Sequence, residues 1–413
     1  MSSNVTKRTL SAGLGVGALA LLAPRASADT PFSSFAFPAT GAPTARTLPD
    51  RLGELKNVKD FGARGDGSTN DTAAIQAAIN QAGTTYFPPG DYRVTRPITF
   101  RGDQAVTVIG TRYSSVSGDF DGYVFDRFPW GGDLHLSAQF RDLHILNAHP
   151  SPRAGCIRIA GGIVVGVEKV FTEANRGITI QSTYGGYIRD VVCLPHPNNL
   201  QIALRGGTNA SAGFLPGSSI GIYLEITNTM VVEDIDIHGL GDGVRVAQGG
   251  ARVSNGRIEQ CIRAVTAGVD ENGDDSSTGI VIDSMTMEAN NYHIYLNACQ
   301  GGYIRNVGIL GDPFSALENV PGVVGIYCKR AQRMTWEGIL VEGAFQDGWI
   351  KFDPPPPALD AGNFNLAFTN VTAISDHQVD MTKYPNAQVW KGVNTLPPNS
   401  AIFTFCNQTA VAP

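Results

Sequence analysis

The sequence predicts an all-β chain wound into a parallel β-solenoid. Three observations carry that expectation. The chain of 413 residues contains 48 glycines and only 16% charged residues, and no long helical periodicity follows residue 82, a combination that points to many short strands joined by tight turns. A strand-plus-turn unit recurs every 22 residues or a little more. The pentapeptide "GGYIR" occurs at 185–189 and again at 301–305.

The units read "DLHILNAH" (142–149), "KVFTEANRGITI" (169–180), "DVVCLPHPNNLQIAL" (190–204) and "DIDIHGLGDGVRV" (234–246). They continue with "GRIEQCIRAV" (256–265), "SMTMEANNYHIYL" (284–296), "NVGILGD" (306–312), "GILVEGAFQDGWIKF" (338–352) and "NVTAISDH" (370–377). Each alternates apolar residues, turns polar and resumes alternation. A single strand cannot bury its apolar face, whereas coils repeating at this period stack around a continuous core. A leucine-rich repeat would show a regular leucine and asparagine ladder, which is missing, and a β-sandwich would not explain the repeating register.

Before the coils, Lys7 and Arg8 precede the apolar run "LSAGLGVGALALLAP", which ends at Ala26-Ser27-Ala28. This is the pattern of a signal peptide over 1–28, and the run falls short of the ~18 apolar residues of a membrane span. "TKRTLS" also resembles a twin-arginine signal with lysine in place of the first arginine, so the general secretory and twin-arginine routes both stay open. The expected mature chain is secreted or periplasmic, with no membrane insertion. Residues 29–56 read as a linker, 57–100 as the opening module of the solenoid, 101–380 as its coils and 381–413 as a C-terminal tail or cap. In the opening module, Ala73, Ala74, Ile75, Ala77, Ala78 and Ile79 predict a short helix, with Asn70 or Asp71 as its cap. A lid over the open end of a solenoid is the role expected of this capping helix.

Removal of 1–28 leaves 28 basic against 37 acidic residues, a net charge of −9. That balance argues against a nucleic-acid partner, which requires a basic surface. The six cysteines (Cys156, Cys193, Cys261, Cys299, Cys328, Cys406) include no C-x-x-C pair. They read as small buried hydrophobes, with one disulfide open in an oxidising compartment. Nothing signals a particular oligomeric state.

"NVKDFGARGDGSTNDTAAIQAAI" (57–79) with "TTYFPPGDYRVTRPITF" (84–100) resembles the opening module of the pectate-lyase-like superfamily of right-handed parallel β-helices. Polygalacturonases, rhamnogalacturonases, some phage tailspikes and alginate epimerases share that module. The resemblance implies the right-handed fold and leaves the reaction open, since the superfamily holds hydrolases, lyases, epimerases and binding proteins. Of the polygalacturonase motifs only Asp242, in "GDGVRV", matches. Gly243 stands where a second aspartate belongs, and the Asp-Pro-His-Glu of the epimerases is absent.

The residues just after the first strand of successive units are Glu173, Pro195 beside His196, His238, Glu259, Glu288, Gly311 beside Asp312, and Glu342. Stacking places such residues in a column whose neighbours are about 4.8 Å apart and next neighbours nearly 10 Å. Those spacings bracket the ~5–5.5 Å and ~6.5–9.5 Å carboxyl separations of retaining and inverting glycosidases. Asp242, Glu259, Glu288 and His238 are therefore the candidate catalytic residues, and Glu173, Arg245, Tyr292 and Trp336 the candidate substrate contacts. Single glutamates here also fit a solvated turn.

A lyase would need a base such as His238 and a cation. Arg176, Arg189, Arg245, Arg263 and Arg305 are available, although arginines recurring in a strand register also build ladders between coils. Calcium could replace the arginine, with "DENGDD" (270–275) as the best acidic cluster, but that run lacks the glycine and glutamate of an EF-hand loop. No metal site or cofactor is otherwise expected. "RGGTNASAGFLPGSS" (205–219) and "DPPPPALDAG" (353–362) read as inserted loops. The expected partner is a polysaccharide. Hydrolysis by a carboxyl pair leads, lyase action on a uronate-containing exopolysaccharide follows, and non-catalytic polysaccharide binding or assembly is the third reading.

Overall fold

In the computed structural model the described residues are 43–100, 105–127, 137–196, 219–269, 277–311, 324–329 and 331–343, with short pieces on either side of them. Residues 1–28, the acidic run 270–275, the loop 353–362 and Cys406 lie outside them, as does all but Ser219 of the loop 205–219. The chain divides into two compact units, one up to Leu55 and one from Lys56 onward. The first holds an antiparallel pair, Ala36–Pro38 with Ala45–Thr47, followed by the helix Leu48–Leu52. Within it Arg46 joins Asp50 and Glu54.

The second unit is a right-handed parallel β-helix. Each full coil contributes three strand segments, and each segment pairs in parallel with its counterpart one coil on. In the first sheet Ile157, Ile178, Ile222, Val244, Val265, Ile294 and Ile326 stand in one register. The second carries Phe140, Val167, Ile188, Val232, Val253, Ile282, Ile304 and Trp336. The third carries Ile145, Thr172, Cys193, Ile237, Ile258, Met287, Ile309 and Val341. All these side chains are buried. Alternation sends one set inward and its neighbours outward, so the three stacks form one continuous core.

The corner between the second and third sheets sets the phase of the coils from residue 138 to 343. Asp142, Lys169, Asp190, Asp234, Asn255, Ser284 and Asn306 occupy it with φ of 52–55°, and Gly338 follows with φ 61°. Asp and Asn tolerate this left-handed conformation because their short side chains bond locally. The first residue after the corner points in, and the second and fourth point out.

The residue before each corner faces outward from the second sheet, and there charges alternate: Arg141, Glu168, Arg189 and Glu233 on successive strands, later Asp283, Arg305 and Glu337. Glu168 Oε2 lies 3.5 Å from Arg141 and 3.2 Å from Arg189. Asp283 Oδ2 lies 3.2 Å from Arg252 and 2.8 Å from Arg305. The arginines of the two "GGYIR" copies are thus rungs of ladders between coils.

A helix does form in the opening module, Thr72–Ile79, and it buries Ile75, Ala78 and Ile79 in the core. Asn70 Oδ1 accepts from the Thr72 amide at 3.1 Å. Asp71 instead accepts from the amides of Arg64 and Gly65 at 2.8 and 2.9 Å, closing the turn before the helix. Near the C-terminus, strands Ala401–Phe405 and Gln408–Thr409 pair antiparallel with Val371–Ser375 and Ala367–Thr369. The described cysteines are all buried.

Candidate functional site

The fourth residue after each corner forms the outward column of the third sheet: Leu146, Glu173, Leu194, His238, Glu259, Glu288, Leu310 and Glu342. Glu173 pairs with Leu194, His238 with Glu259, Glu259 with Glu288, Glu288 with Leu310, and Leu310 with Glu342. Two positions differ from the sequence reading. Leu194 stands where Pro195 and His196 were expected, and Leu310 where Gly311 and Asp312 were, because the column follows strand phase and not the nearest polar residue.

The second residue after each corner forms a parallel outward column, and it brings Asp236 and Arg257 beside the first. Asp236 and His238 share one strand, and Arg257 and Glu259 the next, in direct register. His238 Nε2 lies 2.6 Å from Asp236 Oδ1, and its Nδ1 lies 3.3 Å from Glu259 Oε2. Arg257 spans the same two acids, with Nε 3.2 Å from Asp236 Oδ1 and Nη1 3.0 Å from Glu259 Oε1. Its Nη2 sits 3.4 Å from His238 Nε2.

Electrostatics follow from this packing. Partial burial works to raise the Asp236 pKa, but hydrogen bonds from Arg257 and His238 outweigh it and hold the carboxyl below its ordinary value. The hydrogen bond to Asp236, with the charges of Asp236, Glu259 and Glu288, raises the pKa of Arg257. The side chains keep access to water: His238 is 23% exposed, Glu259 17% and Arg257 51%. One guanidinium and one imidazole thus face three carboxyl groups on three adjacent strands. Asp236 and Arg257 were missed in the sequence, although the i, i+2 spacing from His238 and Glu259 is the signal that finds them.

The other candidates sit elsewhere. Asp242 lies four residues after His238, beyond the turn, but it opens a strand of the first sheet and is fully buried. Its Oδ1 lies 2.5 Å from Arg263 Nε, its Oδ2 lies 3.0 Å from Arg263 Nη2, and Arg245 binds it from the same strand. Burial works to raise its pKa, but the charges of Arg245 and Arg263 prevail and lower it. A carboxylate so enclosed is a structural ion-pair centre, and the expected pairing of Asp242 with Glu259 or Glu288 is corrected accordingly. Arg245, 3% exposed, belongs to that same buried network and not to a substrate surface.

Trp336 is also corrected. It is 0% exposed in the interior stack of the second sheet, where no sugar can reach it. Tyr292 is half-buried on the first sheet, edge-on to Tyr295 and Tyr327 at 5.7 and 5.8 Å. Glu173 remains on the third sheet, two strands before His238, and takes His144 Nε2 at 3.1 Å. Among the described residues no group of three or more His, Cys, Asp or Glu side chains has the arrangement of a metal site. No helix among them is long and apolar enough to cross a membrane.

A family model described as rhamnogalacturonase A/epimerase, pectate lyase-like matches residues 55–304. The chain belongs to this family. The family match takes in the opening module and the coils that carry Asp236, His238, Arg257, Glu259 and Glu288. Among solved structures, the A-module of mannuronan C-5 epimerase AlgE4 from Azotobacter vinelandii superposes with a TM-score of 0.56 at 18% identity, over 78% of this chain and 88% of that one. The AlgE6 A-module gives 0.51 at 18% identity, over 77% and 87%. Curated relatives match over short stretches. Alginate lyase 7 of A. vinelandii is 64% identical over 44 residues, 9% of this chain and 5% of its own length. A probable glucan endo-1,3-beta-glucosidase of Arthroderma benhamiae is 51% identical over 58 residues, 11% of this chain and 7% of its own length. The chain therefore spans only a small part of the curated relatives it matches. The structural likeness speaks for the fold.

Proposed function

We propose that the protein is an exported glycoside hydrolase acting on a polysaccharide, with Glu259 and Glu288 as its carboxyl pair. The observation that supports this most is the excess of carboxylates around Arg257. Glycoside cleavage passes through an oxocarbenium-like, positively charged transition state, which an acidic surface stabilises. Glu259, clamped by Arg257 and His238, suits the ionised role of nucleophile or base. Glu288, one strand away at about 4.8 Å, suits the proton donor, and that spacing is nearest the retaining geometry. The family and the polysaccharide-directed relatives fit an enzyme of this class, and the leader-like residues 1–28 fit export.

A second reading rests on Arg257 beside His238. A base next to a cation is what an elimination α to a uronate carboxylate requires. Arg257 is already shared by two acids, however, and a substrate carboxylate would meet surplus negative charge. Incubation of residues 29–413 with neutral and uronate-containing polysaccharides separates the two. Reducing ends without the ultraviolet absorbance of an unsaturated sugar support hydrolysis, both together support the lyase, and binding without either signal would replace both with the non-catalytic reading.

A further inference from the structure

Upstream of His238 on the same outward face of the third sheet lies a second polar station. His144 Nε2 meets Glu173 Oε1 at 3.1 Å, and the His144 ring packs edge-on against Phe171, with centroids 4.6 Å apart and planes at 86°. Phe171 is half-buried, so part of its ring is open at the surface. His196 lies at the same end. Burial lowers its pKa while the charges of Glu173 and Asp119 work to raise it. Between this station and the next stand Val192 and Leu194, outward and half-buried, with no hydrogen-bonding side chain.

The register gives the separation. Phe171 pairs with Val192 and Val192 with Asp236, so two strand steps, about 10 Å, lie between Phe171 and Asp236. Glu173 stands in the column of Leu194, His238 and Glu259, three steps or about 14 Å from Glu259. One strand step is close to the length of a pyranose residue, so an extended sugar chain lying along the solenoid advances about one sugar per coil. A pyranose offers an apolar face to an aromatic ring and hydroxyls at its rim, and Phe171 with the His144 and Glu173 pair presents the matching set.

We infer that Phe171, His144 and Glu173 form a distal sugar subsite, three to four residues from the bond cleaved at Glu259 and Glu288, which makes the protein selective for oligosaccharides longer than a disaccharide. This inference rests on the reading of the His238 face as the reacting site. The apolar stretch at Val192 and Leu194 would pass the intervening sugar without holding it, which leaves the chain anchored at its two ends.

Calorimetric titration tests it in the Glu288→Gln background, using di- to hexasaccharides of laminarin, mannuronan and polygalacturonate. Affinity should rise by about tenfold or more between the disaccharide and the tetrasaccharide of the ladder that binds, and Phe171→Ala should abolish that step. His144→Gln, which changes no core residue, should reduce the same step and serves if Phe171→Ala misfolds. A flat chain-length dependence, or a step undiminished in both variants, overturns the subsite while the catalytic reading stands. Sugar cleavage persisting in Glu288→Gln, or no binding by any ladder, overturns the catalytic reading and the subsite with it.

Discussion

Two charged clusters lie on either side of the turn that joins His238 to Asp242, and they differ in depth more than in chemistry. Asp242 with Arg245 and Arg263 is an acid between two cations, at 0, 3 and 9% exposure. Asp236, His238, Arg257 and Glu259 are two acids around a guanidinium and an imidazole, all with open surface. A buried pair gains little net stability over an apolar replacement, but removing one partner strands the other in a poor solvent. An exposed cluster is worth little to folding, and its groups stay within reach of a ligand. Burial therefore separates the scaffold residue from the ones proposed to react, although Asp242 carries the more recognisable motif.

The comparison is broken most severely at Asp242. Asp242→Asn should cost about 3–5 kcal/mol of unfolding free energy, read as a drop in the urea midpoint, because it leaves Arg245 and Arg263 buried without their counter-charge. Next in size, Glu288→Gln should lower polysaccharide cleavage by about a hundred- to ten-thousandfold while the urea midpoint moves little. A large loss of stability there would mean that the outer face is scaffold as well.

A buried histidine sharpens the same contrast through pH. His293 is fully buried, with its ring nitrogens 3.3 and 3.1 Å from the carbonyls of Val324 and Leu310, and burial lowers its pKa from 6.5 to about 4. Its folded pKa is depressed, so between those values the unfolded chain binds the proton and the native chain does not. Stability from this group is complete above pH 6.5 and lost as pH falls toward 4, by about 3 kcal/mol. His293→Leu should flatten that limb of the stability curve. The smallest effect is expected at the exposed ladder: Arg189→Ala should shift the midpoint by little, and high salt should erase the difference.

How much of this was legible in the sequence turns on strand phase. The alternation of apolar residues and the repeat of about 22 residues predicted the stacked strands, and the column through Glu173, His238, Glu259, Glu288 and Glu342 was visible in the aligned units. The corner residues with φ above 50° were not read as a ruler. Counting four on from Asp190 gives Leu194 and four from Asn306 gives Leu310, where choosing the nearest polar residue gave His196 and Asp312. Counting two gives Asp236 and Arg257, which complete the cluster. The depth of Asp242 and Trp336 was not legible, because alternation does not say what covers an outward face, and a large aromatic in a repeating strand suits either side.

The most direct test compares Glu259→Gln with Asp242→Asn in reducing-end release from a cleaved polysaccharide, at a temperature well below both unfolding midpoints. Asp242→Asn should cleave at close to the wild-type rate despite its lower stability, and Glu259→Gln should lose about a hundredfold or more. Full activity in Glu259→Gln together with its loss in folded Asp242→Asn would contradict the account and move the reacting surface to the first sheet.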